Sequence, residues 1–340
     1  MIYRIIRKFL FILEPELAHN LVFKFLKILN FISILDFFRP KYKEGNKKVF
    51  NITFKNPIGV AAGLDKNAEY INIFDKLGFG FIEVGTLTPR PQPGNRKPRI
   101  FRLINEKAII NRFGFNNVGI DQALINIKNS KYQGVLGINI GKNFDTPTEE
   151  AIQDYLICFR KAYKFASYIT INISSPNTKN LRELQNKDNF VILISQIKSE
   201  QSKLTKLHSK YVPFVVKISP DCSNEEIDNI CEVLLANNVD GVIATNTTIS
   251  RDGLNSKFMN EEGGLSGGPL KNKSLGTQKR LYAKLRNKIT IIGVGGIMTA
   301  ADAKEKFDNG ADLIQIYSGF IYRGNNLIHE LLESTSQRQS

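Results

Sequence analysis

Apolar positions follow two different rhythms along the chain. Over residues 1–48 they recur at helical spacing: Ile2, Ile5, Ile6, Phe9, Leu10 and Leu13, then, after Pro15, Leu17, Leu21, Val22, Phe25, Leu26 and Leu29. That spacing predicts two short amphipathic helices broken at Pro15. From residue 57 onward, short runs rich in Ile and Val alternate with longer helical-period segments. Eight such runs stand out: Ile58 to Ala62, Gly80 to Val84, Val135 to Ile140, Tyr168 to Ile173, Phe214 to Ile218, Gly241 to Ala244, Ile289 to Val294 and Leu313 to Ile316. Alternation of buried strands with helices predicts a parallel sheet, and eight units predict a closed (β/α)8 barrel. The chain therefore divides into an N-terminal amphipathic helical extension, residues 1–48, and a (β/α)8 barrel catalytic domain, residues 49–340. Two long connections, Thr86 to Val118 and Asn246 to Leu275, follow strands and so overhang the catalytic face.

The ends of the runs carry the candidate chemistry. They finish in Gly63, Asp65 and Lys66; Gly85 and Thr86; Asn139; Asn172; Lys217; Thr245 and Asn246; Gly295 and Gly296; Tyr317 and Ser318. In a parallel barrel these positions converge on one mouth. An amide or ammonium group inside apolar sequence is costly to bury without a partner, so their recurrence points to a large hydrogen-bonding, partly anionic ligand. Glycines at Gly293, Gly295 and Gly296 and the Tyr317-Ser318-Gly319 turn before a short helix suit a phosphate. The Ser174-Ser175-Pro176-Asn177 segment is, on its own residues, an ordinary turn past a strand end.

Composition adds charge. The 340 residues carry 47 Lys and Arg against 32 Asp and Glu, a formal +15. Ten of those cations and four of the acids lie in residues 1–48, with Phe9, Phe11, Phe23, Phe25, Phe31, Phe37 and Phe38 among them. The longest apolar run there, Phe9 to Leu13, has five residues, against the roughly 20 that a spanning helix needs. The segment therefore lies on a surface. Packing on the barrel and binding to a bilayer both fit, and its density of phenylalanine and basic residues favours the bilayer. Cys158, Cys222 and Cys231 form no CxxC pair and read as buried thiols. His19, His208 and His329 lack metal-ligand spacing, so no metal site is expected. No nucleic-acid-binding motif accompanies the charge.

Six segments together resemble dihydroorotate dehydrogenase: Ala61-Ala62-Gly63-Leu64-Asp65-Lys66, Asn111-Arg112-Phe113-Gly114-Phe115-Asn116, Ser174-Ser175-Pro176-Asn177, Asn246-Thr247-Thr248, Gly293-Val294-Gly295-Gly296-Ile297 and Tyr317-Ser318-Gly319. They occur in order and at matching spacing from the N-terminal helices to about residue 330. A serine at position 175 and the basic, Phe-rich extension resemble the class 2, membrane-associated, quinone-dependent form.

The resemblance implies FMN-dependent oxidation of (S)-dihydroorotate to orotate in pyrimidine synthesis, with electrons passed to ubiquinone or menaquinone. It implies Ser175 as the base that takes the C5 proton, with water or Thr178 as an onward relay. Lys66 would pair with substrate charge, and Asn111, Asn172, Asn177 and Asn246 would bond the pyrimidine edge. Gly114 and Phe115 with Thr247 would hold the carboxylate end, with Arg112 and Phe113 in the same substrate set. Lys217 would lie by flavin N1 and the C2 carbonyl. Ala62, Gly63, Leu64, Asp65, Lys66, Thr86, Asn139, Asn172, Thr245, Gly268, Gly296, Tyr317 and Ser318 would complete the FMN site. His19 and Arg102 would line the quinone tunnel. Phe113 stands where bacterial relatives often carry Met, which implies altered rates with the reaction unchanged. The implied location is peripheral, on the cytoplasmic face of a bacterial inner membrane. The rival reading is a flavin dehydrogenase of the same barrel group with another dihydropyrimidine or a soluble acceptor.

Overall fold

A computed structural model describes residues 2–40, 45–178, 180–286 and 288–336; residues 41–44 of the extension lie outside them. Eight parallel strands close into one barrel in chain order. They are β1 (Ile58–Val60), β2 (Phe81–Leu87), β3 (Val135–Ile140), β4 (Tyr168–Asn172), β5 (Phe214–Ile218), β6 (Gly241–Ala244), β7 (Thr290–Val294) and β8 (Leu313–Ile316). All but Thr290 of these strand residues are buried. Helices cover one face of each strand and the barrel interior the other, which is why the runs are continuously apolar rather than alternating.

The interior is packed from the bottom upward. An antiparallel hairpin, Lys47–Val49 with Ile52–Phe54, places Val49 and Phe54 in the same buried cluster as Phe81, Tyr168, Val215, Ile243 and Leu313. The Tyr168 ring fits because β3 carries Gly137 beside it, where an added Cβ would come within 2.3 Å of that ring. Above this apolar floor the inward residues turn polar, and there the site begins.

The two long connections are not plain loops. Ile100–Leu103, Ala108–Asn111 and Gly264–Gly267 form a three-stranded antiparallel sheet above the mouth. Its Phe101, Leu103, Ala108, Ile110, Leu254 and Leu265 make a separate small core. The sequence pattern missed it because its strands are four residues each and draw on segments some 150 residues apart.

The two predicted N-terminal helices are α1 (Ile2–Leu10) and α2 (Pro15–Phe31), with Pro15 at the first turn of α2 and the Glu14 carboxylate capping the Glu16 and Leu17 N–H groups. One face packs on the barrel through Ala18, Phe23 and the nearby Leu35. The other leaves Phe9, Ile12, Phe25, Phe31 and Phe37 exposed, Phe31 and Phe37 by 88% and 89%. One face of the extension thus packs on the barrel, and the opposite face is an exposed apolar surface. Cys158 and Cys231 are buried; Cys222 is only partly so, because it lies past the end of β5 rather than inside a helix.

Candidate active site

The C-terminal ends of the strands form a cavity roofed by the extra sheet. Ser175, 6% exposed, lines it together with Asn111, Asn172, Asn177 and Asn246. The Ser175 Oγ accepts the Asn177 N–H at 3.2 Å, and Asn177 Nδ2 donates to Asn111 Oδ1 at 3.4 Å. Asn246 Nδ2 donates to Ser174 Oγ at 3.0 Å and to Asn172 Oδ1 at 3.3 Å. One residue anchors the serine loop from outside: Arg182 donates to Ser174 O and to Thr247 O, each at 3.2 Å, and pairs with Asp221 at 3.0 Å. The Thr178 hydroxyl is buried with no partner among the described residues, two residues past the serine pair's proline.

Two features of the cavity ask for an anionic, hydrogen-bonding ligand. Gly295 and Gly296 follow β7 at φ +104° and +76°, and an added Cβ on Gly296 would lie 2.3 Å from Lys271 Cα. Their N–H groups donate to no protein acceptor among the described residues, which leaves a small concave set of amide donors at the cavity wall. Lys217, near the end of β5, also lines the cavity, 5% exposed, with no hydrogen bond or ion pair among the described residues. Burial pulls its ammonium below the usual lysine range, and the Glu83 carboxylate offsets part of that. Gln315 Oε1 is also buried, with no partner among the described residues. A phosphate at the glycines and a planar polar ring system towards Lys217 and Gln315 meet these groups, so the donor set fits a flavin nucleotide.

Most residues expected at the site come together here: Ala62, Gly63, Lys66, Thr86, Phe113, Gly114, Phe115, Thr245, Thr247, Tyr317 and Ser318 also line the cavity. Several do not. Arg112 turns outward to the Glu261 carboxylate at 2.6 Å and to Pro98 O, because β-strand alternation puts it on the far side of the roof from Asn111. Asp65 is buried beneath the loop, where its carboxylate caps the Glu69 and Tyr70 N–H groups at 2.8 Å; burial pushes it up to about 6. Leu64 lines a second cavity instead. Asn139 stands behind Thr86, accepting its hydroxyl at 2.6 Å. Gly268 lies next to Gly267, which does line the cavity. Sequence reasoning overlooked Gln315 and Ser266. Gln315 carried the signal used elsewhere, a polar residue inside an apolar run; Ser266 did not, since its strand is too short to show a pattern.

The second cavity lies between α1, α2 and the barrel, and shares Lys66, Phe113 and Tyr317 with the first. His19 and Arg102 both line it. Burial and then the nearby Lys66 charge push His19 down to about 3, so it is neutral at neutral pH. Arg102 donates to Leu10 O at 3.0 Å and to Leu13 O, capping the end of α1, and lies 4.6 Å over the Phe11 ring. Glu16 accepts Arg99 Nε at 2.9 Å and Lys97 Nζ at 2.8 Å. Burial works against that carboxylate, yet the two cations more than offset it and hold it below the usual range. Lys66 Nζ sits 4.1 Å from the Phe113 ring centroid, and burial pulls it down to about 8.

A (β/α)8 barrel with an anion cradle after β7, a buried lysine and a serine flanked by asparagines defines an enzyme of the phosphate-bearing-cofactor class, with a second, aromatic chamber at its side. The comparisons sharpen this. The family model described as dihydroorotate dehydrogenase matches residues 45–338, and the chain belongs to that family. A relative from Vibrio parahaemolyticus, named dihydroorotate dehydrogenase (quinone), is 50% identical over 98% of this chain and 100% of its own. One of the same name from Nitrosospira multiformis is 52% identical over 98% of this chain and 95% of its own. Among solved structures, the Eimeria tenella enzyme in complex with ferulenol superposes with a TM-score of 0.86 at 39% identity, covering 94% of this chain and 90% of that one.

Proposed function

We propose that the chain oxidises (S)-dihydroorotate to orotate through bound FMN, with a quinone as electron acceptor. The observation that carries this is the meeting, in one cavity, of Ser175, four asparagines and a buried Lys217 with no partner among the described residues. FMN, when bound, supplies the acceptor for the hydride leaving substrate C6 and the route onward to quinone. Gly295, Gly296 and Ser318 would hold its phosphate, while Lys217 would place positive charge at its N1 and C2 edge, favouring electron uptake.

Ser175 Oγ takes the C5 proton. A serine of ordinary basicity does this only when closely positioned and when the proton has a way out. The position comes from the Asn177 N–H on Oγ and from Arg182 on the backbone of Ser174. The way out is Thr178, whose buried hydroxyl has no partner among the described residues, or a water beside it. Asn111, Asn172, Asn177 and Asn246 orient the pyrimidine edge, and Lys66 with Thr247 and the Gly114 and Phe115 backbone receives the substrate carboxylate.

The aromatic chamber between α1, α2 and the barrel suits a quinone head, with His19 and Arg102 on its wall. No helix among the described residues is long and apolar enough to cross a membrane, which is compatible with peripheral association. The exposed Phe9, Phe25, Phe31 and Phe37 with Lys24 and Lys27 support the N-terminal helices as the membrane face of residues 1–48, ahead of the catalytic domain at 49–340, with Lys47 and Lys48 already paired in the hairpin under the barrel; the cytoplasmic side is carried by the resemblance alone. The testing experiment is simple: purified protein is yellow, releases FMN on denaturation and bleaches anaerobically with dihydroorotate. A colourless protein that cannot be reconstituted with FMN ends this reading.

A further inference from the structure

Beneath the cavity lies an acid that the chemistry above does not use. Glu83, on β2, is fully buried inside the barrel. Its carboxylate accepts Asn139 Nδ2 at 2.8 Å, the Tyr168 hydroxyl at 2.8 Å and Gln315 Nε2 at 2.7 Å, donors from three other strands. Burying a carboxylate costs several kcal/mol unless its oxygens are satisfied, and an apolar side chain would fill the same floor at no such cost.

What a carboxylate does that an apolar group cannot is dictate direction. Accepting only, it forces the Asn139 amide to turn Nδ2 down and Oδ1 up. Oδ1 then takes the Thr86 hydroxyl proton at 2.6 Å. A hydroxyl has one proton, so Thr86 Oγ1 is left as the acceptor for Asn172 Nδ2 at 2.9 Å. That turns Asn172 Oδ1 towards the serine loop, where it accepts Ser174 Oγ at 3.1 Å, the Ser174 N–H at 3.4 Å and Asn246 Nδ2 at 3.3 Å. Each link fixes the next.

We propose that Glu83 is a positioning residue: through Asn139, Thr86 and Asn172 it sets the donor and acceptor polarity of the barrel mouth and so holds the Ser174–Ser175 loop where Ser175 can act. With the opposite polarity Asn172 would present Nδ2 to the Ser174 N–H and to Asn246 Nδ2, donor against donor, and the loop would be displaced. The inference rests on the dihydroorotate reading and goes beyond it, since Glu83 touches neither substrate nor cofactor.

Glu83→Gln tests it, because the amide keeps the volume and offers both a donor and an acceptor, so the ladder can run either way. In anaerobic stopped flow the variant's flavin is expected to bleach with dihydroorotate about tenfold or more slowly, and orotate, followed by the flavin absorbance shift, to bind about tenfold more weakly. Flavin content is expected to stay at the wild-type value, which a general loosening of the barrel would not allow; because Glu83 also supports the charge of Lys217, orotate binding to the oxidised enzyme is the readout that isolates the ladder. Thr86→Val cuts the ladder in the middle, and in that background Glu83→Gln is expected to add less than a twofold effect. Wild-type bleaching and orotate affinity in Glu83→Gln would overturn the proposal, as would independent, multiplying effects of the two substitutions. Loss of flavin in Glu83→Gln, or equal slowing of both half-reactions, would also overturn it by assigning the network to packing; Thr86 lines the flavin cavity itself, so its variants are compared per bound flavin. If Glu83→Gln does not fold, Thr86→Val decides alone, with rates and affinities taken per bound flavin: slower bleaching and weaker orotate support the ladder, and wild-type behaviour sinks it. Failure of the dihydroorotate reading would show separately, in a wild-type protein that never bleaches.

Discussion

The two cavities share a wall yet are held together in opposite ways. The barrel-mouth cavity is made of strand ends, so its side chains inherit their positions from the most buried part of the fold. Its polar groups form a continuous ladder from Glu83 to Asn246. The side chamber exists only where two helices rest on the barrel. Its joints are a handful of long-range polar contacts: Tyr3 to Ile321 O, Arg7 to Tyr322 O, Arg99 and Lys97 to Glu16, and Arg102 to the carbonyls closing α1. A site built into a core is set by global stability; one built at a docked interface can open locally while the core stays folded. The first arrangement suits proton abstraction, which needs sub-ångström placement, and the second suits admission of a greasy, variable-length acceptor.

Removing the docked part is the most drastic way to separate the two. Deletion of residues 1–38 is expected to abolish turnover with long-tail quinones while dihydroorotate still bleaches the flavin at close to the wild-type rate. Steady-state and single-turnover assays on the same preparation check this, and normal quinone turnover would reduce the extension to a packing element. The converse cut is Ser175→Ala, expected to slow flavin bleaching about 10²- to 10⁴-fold, the range for loss of a general base. Flavin content and quinone-driven reoxidation should be unchanged; undiminished bleaching would remove Ser175 as the base.

How much of each cavity could be read from sequence follows the same division. The eight strands were legible because each is buried on both faces, and the resulting apolar runs agree with the observed strands to within a few residues. Polar residues at their ends led to Lys217, Thr245 and Asn172, all of which line the mouth. The roof sheet was not legible, since its strands of four residues pair across segments far apart in the chain. Arg112 shows the limit of transferring a motif whole: Asn111 and Phe113 line the cavity, but the residue between them points out to Glu261. Arg182 and Asp221, which tie the serine loop to the loop after β6, gave no signal, because a surface-coded Arg and Asp look alike whether or not they meet. In the side chamber His19 and Arg102 were placed by resemblance alone. The capping of α1 by Arg102 depends on chain geometry that no spacing rule contains.

A gentler test loosens the docked joint without removing it. Arg102→Ala leaves the Leu10 and Leu13 carbonyls unpaired and takes the guanidinium off the Phe11 ring. One uncapped helix end and a lost charge-assisted bond cost about 1–3 kcal/mol locally, so the quinone KM is expected to rise about 10- to 100-fold. Bleaching by dihydroorotate should not change. Arg102→Lys should recover only part of the loss, since a lysine cannot span both carbonyls with a planar fork. An equal loss in both half-reactions would mean that the two cavities are not separable in the way their construction implies.

The smallest expected effect lies on the shared wall and concerns Lys66. Burial pulls its pKa down to about 8 from the ordinary 10.5, with Glu16 offsetting part of that burial and Arg99 adding to it. For a lysine lowered in this way the charged form prevails below the shifted value and is lost as pH rises through it. If Lys66 receives the substrate carboxylate, orotate affinity should be flat from about pH 6 to 7.5. It should then weaken above about pH 8, approaching tenfold per pH unit once Lys66 is mostly neutral in the free enzyme. Lys66→Met should bind orotate weakly at every pH and lose that slope, and a slope that survives the substitution would assign it to another group. His19, held near about 3 on the other side of the wall, stays neutral throughout. Quinone-driven reoxidation should therefore carry no break from His19 anywhere between pH 6 and 9, while orotate affinity falls above about pH 8, which separates the two faces of a single wall by pH alone.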